Sequence, residues 1–195
     1  GQLEWLVVGI GLNLTSRPED WPEELRPIAG SLYPGGPAPV SRAALAGAIA
    51  RELLGLLTPG SYDYLFTAEA KSIPLIHEMA RQSGAKKYFI ARKGPKAYMP
   101  DPIHVEDRSI TTAGVQKLYL GRDDADMIRG KRIVLMDDVI STGGSLHAME
   151  ELVKLAGGIV VDRIAVLAEG DAQNRGDIVY LEKLPLFNPD GTVKD

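Results

Sequence analysis

Apolar positions along the chain keep two rhythms. Dense apolar runs, rich in β-branched and aromatic residues, occupy 62–68 (YDYLFTA), 87–91 (KYFIA), 115–120 (VQKLYL), 132–138 (RIVLMDD), 158–169 (GIVVDRIAVLAE) and 177–182 (DIVYLE). Runs of this length and composition predict strands. Between them, helical spacing places Leu146, Met149, Val153 and Ala156 on one face after the fourth run, and 73–82 reads as a helix with Pro74 in its first turn. Earlier in the chain, Ser41 offers an N-cap to a helix over 42–57. Its face is Leu45, Ile49, Leu53 and Leu56, and Pro59-Gly60 ends it. The opening run 3–14 (LEWLVVGIGLNL) is broken by Gly9 and Gly11, and Val7-Val8 favours a buried strand there. Residues 15–40 are dense in Pro and Gly and leave room only for a short helix near 23–26.

Strands alternating with helices predict an α/β fold from about residue 41 onward, a doubly wound parallel sheet. Ligands of such sheets sit outside the carboxyl ends of the strands. The stretch 121–126 (GRDDAD) reads as a turn. The interval 92–114 is long for a connection and is a candidate lid carrying a strand around 103–106.

Composition narrows the function classes. The 195 residues carry a net charge of -4, with 45% hydrophobic and 25% charged residues. This balance gives no electrostatic reason to expect nucleic acid or an acidic membrane as partner. Without cysteine there is neither disulfide nor thiolate metal site. No run is long enough to span a bilayer and no signal pattern opens the chain, so a cytoplasmic protein is expected.

The chemistry concentrates in 134–145 (VLMDDVISTGGS). Two acids at a strand end, Asp137 and Asp138, are costly to bury unless they face a polar ligand, a metal or water. The loop after them, Ser141, Thr142, Gly143, Gly144 and Ser145, opens a helix. Unpaired amides and the helix dipole favour an anion there, glycines allow close approach and hydroxyls add donors. A phosphate suits the loop, and carboxylates that would repel it can accept hydrogen bonds from a sugar diol. Phosphate plus diol indicates a ribose 5-phosphate. The alternative phosphate motifs fail: ADMIRGKR has Ala125 and Arg132 where a P-loop needs Gly and Ser/Thr, and GIGLNL has Leu14 where a dinucleotide fingerprint needs its third glycine.

The stretch VLMDDVISTGGS resembles the 5-phosphoribosyl 1-diphosphate (PRPP) signature of type I phosphoribosyltransferases. In the same order, TAEAKSIPL resembles that family's pyrophosphate loop, and ARKGPKAYMP resembles the Arg-Lys-x-x-Lys loop of adenine phosphoribosyltransferases. The last stretch, VLAEGDAQNRGDIVYLEKLPLF, resembles the end of purine enzymes. The resemblance implies a phosphoribosyltransferase domain over 58–195 that transfers phosphoribose from PRPP to a purine, adenine foremost, in purine salvage. Asp137 and Asp138 would bind the ribose hydroxyls and 141–145 the 5-phosphate. Lys71, where adenine enzymes more often show Arg, would meet pyrophosphate with Arg92, Lys93 and Lys96 closing over it. Lys96 and the two acids are the catalytic candidates, while Glu169 and Phe187 are assigned to the base. Mg²⁺ would be held through PRPP oxygens rather than by protein ligands, and a homodimer is expected.

Residues 1–57 resemble a fragment of the biotin protein ligase catalytic domain, with Asn13 in its Gly-Ile-Gly-x-Asn strand. The ligase's biotin loop and lysine strand are missing upstream, so ligation is not expected. The helix 42–57 stands where phosphoribosyltransferases carry an amphipathic helix, and it is expected to pack against the first core strand near Leu65. His77 and His147 read as packing or surface residues, and His104 falls in the candidate lid. Two other readings are a PRPP-sensing regulatory domain of the purine repressor type and an inactive hybrid fragment. The charged ARKGPKAYMP segment favours the enzyme over the sensor.

Overall fold

The computed structural model of the protein describes residues 14–26, 30–33, 36–107, 116–188 and 192–193. A five-stranded sheet in the order β2-β1-β5-β6-β7 forms its centre. The strands are β1 (Tyr64–Ala68), β2 (Phe89–Ala91), β5 (Arg132–Ile140), β6 (Ile159–Glu169) and β7 (Val179–Leu184), and every pairing is parallel. Two further strands, β3 (Ile103–Asp107) and β4 (Gln116–Leu120), pair antiparallel in a small separate sheet.

The central strands lack polar alternation because both of their faces are covered. Along β5, Ile133 and Leu135 join one apolar cluster, and Val134 and Met136 join the other. Phe66 and Leu65 divide in the same way in β1. On one face lie α1 (Arg42–Gly55) and α2 (Ile73–Ser83). On the other lie α4 (Gly144–Leu155), α3 (Arg122–Ile128) and apolar residues of the β3–β4 sheet.

Helix α1 starts where the sequence indicates, with the Ser41 hydroxyl accepting from the Ala44 amide at 3.1 Å. It buries Ala50 and Leu53 in the cluster that contains Leu65, Leu75 and Met79, with Ile49 packed at its edge. The Gln82 side-chain amide of α2 donates to the Gly47 carbonyl at 2.8 Å, closing the two helices together. Ahead of α1, two 3-10 turns at Pro18–Asp20 and Glu23–Leu25 occupy the Pro-rich segment.

Three expectations change. The stretch read as a turn at 121–126 is the start of α3: Gly121 supplies an extended N-cap, Asp123 and Asp124 sit in the first turn where the dipole favours acids, and Ala125 and Ile128 are buried three residues apart. The strand expected around 103–106 is present as β3, but it and the run at 116–120 pair with each other as a two-stranded β-arm instead of entering the parallel sheet. Strand β5 runs on through the acid pair to Ile140 instead of ending at it. The strand expected over 3–14, including Asn13, lies outside the described residues but for Leu14.

Replacing the fully buried Leu53 with Ala should destabilise the protein by about 2–4 kcal/mol in urea unfolding, whereas Arg51→Ala, on the exposed side of α1, should stay within about 0.5 kcal/mol. Equal midpoints for both variants would mean that α1 is not part of the cooperative core.

Candidate active site

Because β1 lies between β2 and β5 in a parallel arrangement, the segments leaving these strands emerge together at the carboxyl end of the sheet. These segments are 69–72 after β1, 92–96 after β2 and 141–143 after β5.

Within β5, Asp137 and Asp138 precede the strand end by three and two residues. Neighbouring side chains on a strand point to opposite faces, yet one hydroxyl reaches both. The Ser72 Oγ, almost completely buried, lies 3.3 Å from Asp137 Oδ1 and 3.2 Å from Asp138 Oδ1. It has one proton and so donates to one carboxylate at a time. The Asp138 amide also donates to Asp137 Oδ1, at 3.0 Å. One residue earlier in β5, the Met136 carbonyl accepts from the hydroxyl of buried Thr67 at 2.7 Å, which locks β1 onto β5 just before the acids. No basic side chain among the described residues pairs with either acid. Burial pushes the Asp137 carboxyl up, to about 7, and the adjacent Asp138 carboxylate adds to the shift.

The loop that follows encloses a pocket of about 170 Å³, lined by Asp137, the residues of the 141–145 loop and apolar side chains at its base. Gly143 has φ +83°, the left-handed region, and serves as N-cap of α4 with no side chain to satisfy the first amides. Its carbonyl accepts from the His147 amide at 2.9 Å. A Cβ at this position would also come within 2.5 Å of Arg175 Nη1, whose guanidinium pairs in bidentate fashion with Asp177 at 2.9 and 2.7 Å. Backbone geometry therefore selects glycine, and a side chain here would also push aside the end of the flexible Arg175.

The cations gather elsewhere at the same end. Glu69, at the end of β1, accepts Arg92 Nη1 at 3.2 Å, Lys96 Nζ at 3.4 Å and the Lys93 amide at 2.7 Å. These contacts hold its carboxyl below the usual range against the opposing effect of burial. Lys71 is exposed in the same loop, next to Ser72. Thus the acids and the 141–145 loop share one pocket, and Arg92, Lys93 and Lys96 share one carboxylate. Loop 69–72 touches both groups. Glu169 ends β6 in register with Leu184, and Phe187 lies beyond β7, more than half exposed and bridged to Val193; neither lines the pocket. Three residues here carry no role in the sequence reading. Glu69 and Ser72 stand inside the quoted TAEAKSIPL but are visible as partners only once β1 pairs with β2 and with β5 respectively, and Arg175 reaches Gly143 across 32 positions of sequence.

A family model described as the phosphoribosyl transferase domain matches residues 41–182. The chain belongs to that family. The match takes in α1, which lies before the domain boundary drawn from the sequence at residue 58. The chain is similar to a hypoxanthine/guanine phosphoribosyltransferase of Methanococcus maripaludis, 33% identical over 57% of this chain and 56% of the relative. It is also similar to an adenine phosphoribosyltransferase of Corynebacterium jeikeium, 38% identical over 49% of this chain and 44% of the relative. The chain spans about half the length of the curated relatives it matches. Among solved structures, the adenine phosphoribosyltransferase of Thermoanaerobacter pseudethanolicus superposes with a TM-score of 0.61 at 25% identity, over 73% of this chain and 83% of that one. None of these findings supports the biotin-ligase-like resemblance of residues 1–57. No helix among the described residues is long and apolar enough to cross a membrane.

Two outcomes follow from the site's geometry. A carboxyl whose folded pKa is raised makes the native state bind more protons than the unfolded one, so its stabilising effect is complete below about pH 4 and is lost as pH rises through about 7. The stability of Asp137→Asn relative to the parent should therefore grow by about 1–3 kcal/mol between pH 4.5 and pH 7.5 in urea titrations, and a flat difference would contradict the assignment. Gly143→Ala should cost about 1–3 kcal/mol, with Arg175→Ala in the same chain relieving only the part due to the close contact.

Proposed function

We propose that this chain transfers the phosphoribosyl group of PRPP to a purine base, forming a nucleoside monophosphate and pyrophosphate. The observation that carries the reading is the buried Ser72 hydroxyl, which ties the cation-bearing loop 69–72 to the acid pair beside an uncapped helix start. In this reading Asp137 and Asp138 accept hydrogen bonds from the ribose hydroxyls. The amides and hydroxyls of Ser141, Thr142, Gly143, Gly144 and Ser145 hold the 5-phosphate. Lys71, Arg92, Lys93 and Lys96 meet the pyrophosphate, and Lys96 neutralises charge on it as it leaves. Catalysis is then positioning together with stabilisation of the departing anion while a purine nitrogen attacks C1. The segment 92–96 and the β-arm behind it exclude water that would otherwise hydrolyse the sugar. Glu169 and Phe187, at the ends of β6 and β7, are assigned to the base.

The donor set suits Mg²⁺ brought in with the substrate. With Asp137 and Asp138 given to the ribose hydroxyls, the ion would be held by PRPP oxygens and by waters it keeps, and among the described residues no cluster of three carboxylate or imidazole side chains could enclose it. When bound, the ion would supply charge neutralisation on the pyrophosphate. Adenine is the base we favour, from the Arg92-Lys93-x-x-Lys96 segment and the similarity to adenine enzymes. The relatives named for hypoxanthine and guanine make the 6-oxopurines its competitors.

PRPP with Mg²⁺ should raise the melting temperature, as any ligand specific for the native state does, and Asp137→Asn combined with Asp138→Asn should abolish the rise. Chromatography of reactions with PRPP and each of adenine, guanine, hypoxanthine and xanthine should then yield a nucleotide with at least one base. An unaltered PRPP response in the double variant would remove the ribose assignment; PRPP binding with no nucleotide from any base would leave a PRPP-sensing domain instead.

A further inference from the structure

The cations expected to meet pyrophosphate are already engaged by an anion of the protein's own. Glu69 holds the side chains of Arg92 and Lys96 and the amide of Lys93, and its own amide donates to the Ala91 carbonyl at 2.9 Å. Backbone and carboxylate therefore grip the same segment, 91–96. The Glu69 side chain is 15% exposed, while Arg92 and Lys96 are 25% and 39% exposed, so the carboxylate lies inward and the cations face outward. Each cation gives Glu69 one contact and keeps further N–H groups for a ligand. Two cationic side chains share the one carboxylate, and Lys71 and Lys93 are exposed in the same two segments, so positive charge exceeds negative there and the region attracts a multiply charged anion.

Resting on the transferase reading above, we propose that Glu69 occupies in the unliganded protein the charge position that pyrophosphate takes over, and thereby sets how tightly the leaving group is held. Glu69 keeps the segment 92–96 ordered before the substrate arrives, and its negative charge then opposes the incoming one. Opposition of this kind has a use. Release of product limits many enzymes, and a pyrophosphate met by four uncompensated cations would leave slowly. Glu69 is a positioning residue in this scheme: it acts through Arg92 and Lys96 and touches neither ribose nor base.

Glu69→Gln separates charge from shape, since the amide keeps an oxygen for the Lys93 N–H and the same reach. In calorimetric titration with inorganic pyrophosphate and Mg²⁺, the full chain carrying Glu69→Gln should bind about 5- to 50-fold more tightly than the parent, by removal of one like charge several ångströms away. The difference should shrink as salt is raised. A purely structural carboxylate would give the opposite sign, because loosening 92–96 weakens binding. Glu69→Asp withdraws the same charge by one methylene and should tighten binding by a smaller factor, which gives a second measurement if the Gln variant fails to fold. Binding by either folded variant that equals or falls below that of the parent overturns the proposal while leaving the transferase reading intact. A parent that takes up no pyrophosphate overturns both.

Discussion

Placing two carboxylates side by side near the carboxyl end of the central strand costs desolvation, most plainly at Asp137, and the arrangement around them follows from how that cost is met. Asp137 and Asp138 are given a hydroxyl and an amide rather than a cation. This leaves the pair incompletely satisfied, with Asp137 inclined to hold its proton. A salt bridge would have occupied the oxygens. The hydroxyl comes from Ser72, and it can reach the pair only because β1 is hydrogen-bonded along β5 and locked by Thr67 against the Met136 carbonyl.

The same end of the sheet is divided by charge. Acids occupy the β5 side, cations the side of β1 and β2, and an uncapped helix start closes the far end. A ligand with a diol between two phosphate groups matches that order along its length. Each half has its own internal counterpart: Glu69 for the cations, Ser72 for the acids. These two residues stand three positions apart in one short loop, so a change in that loop bears on both halves at once.

The elements differ in how plainly the chain announces them. The central strands are legible because burial on both faces demands continuous apolar runs, and 132–138 could be little else. Helix α1 is legible from Ser41 and its apolar spacing. Helix α3 is not: four of its seven residues are charged, and only the burial of Ala125 and Ile128 against α4 and the sheet makes a helix of it. Strands β3 and β4 look locally like members of the main sheet. Their antiparallel pairing with each other is not written in either run, and β4 is tied in turn to the end of β2 where the Arg92 and Tyr119 backbones exchange hydrogen bonds at 2.9 and 2.7 Å.

The chain alone determined the sheet class, the acid pair, the glycine-rich loop and the cationic segment, because each depends on residues close in sequence whose chemistry is local. A strand run, two acids, a glycine-rich turn and a helix start can be read within twelve positions. Tertiary structure decided what those groups touch. Ser72 meets acids 65 and 66 positions away, Glu69 meets cations more than twenty positions on, and Arg175 closes on Gly143. Periodicity records which face a residue turns to the core, but it carries no information about which distant polar group arrives opposite, since that is set by the order in which parallel strands line up.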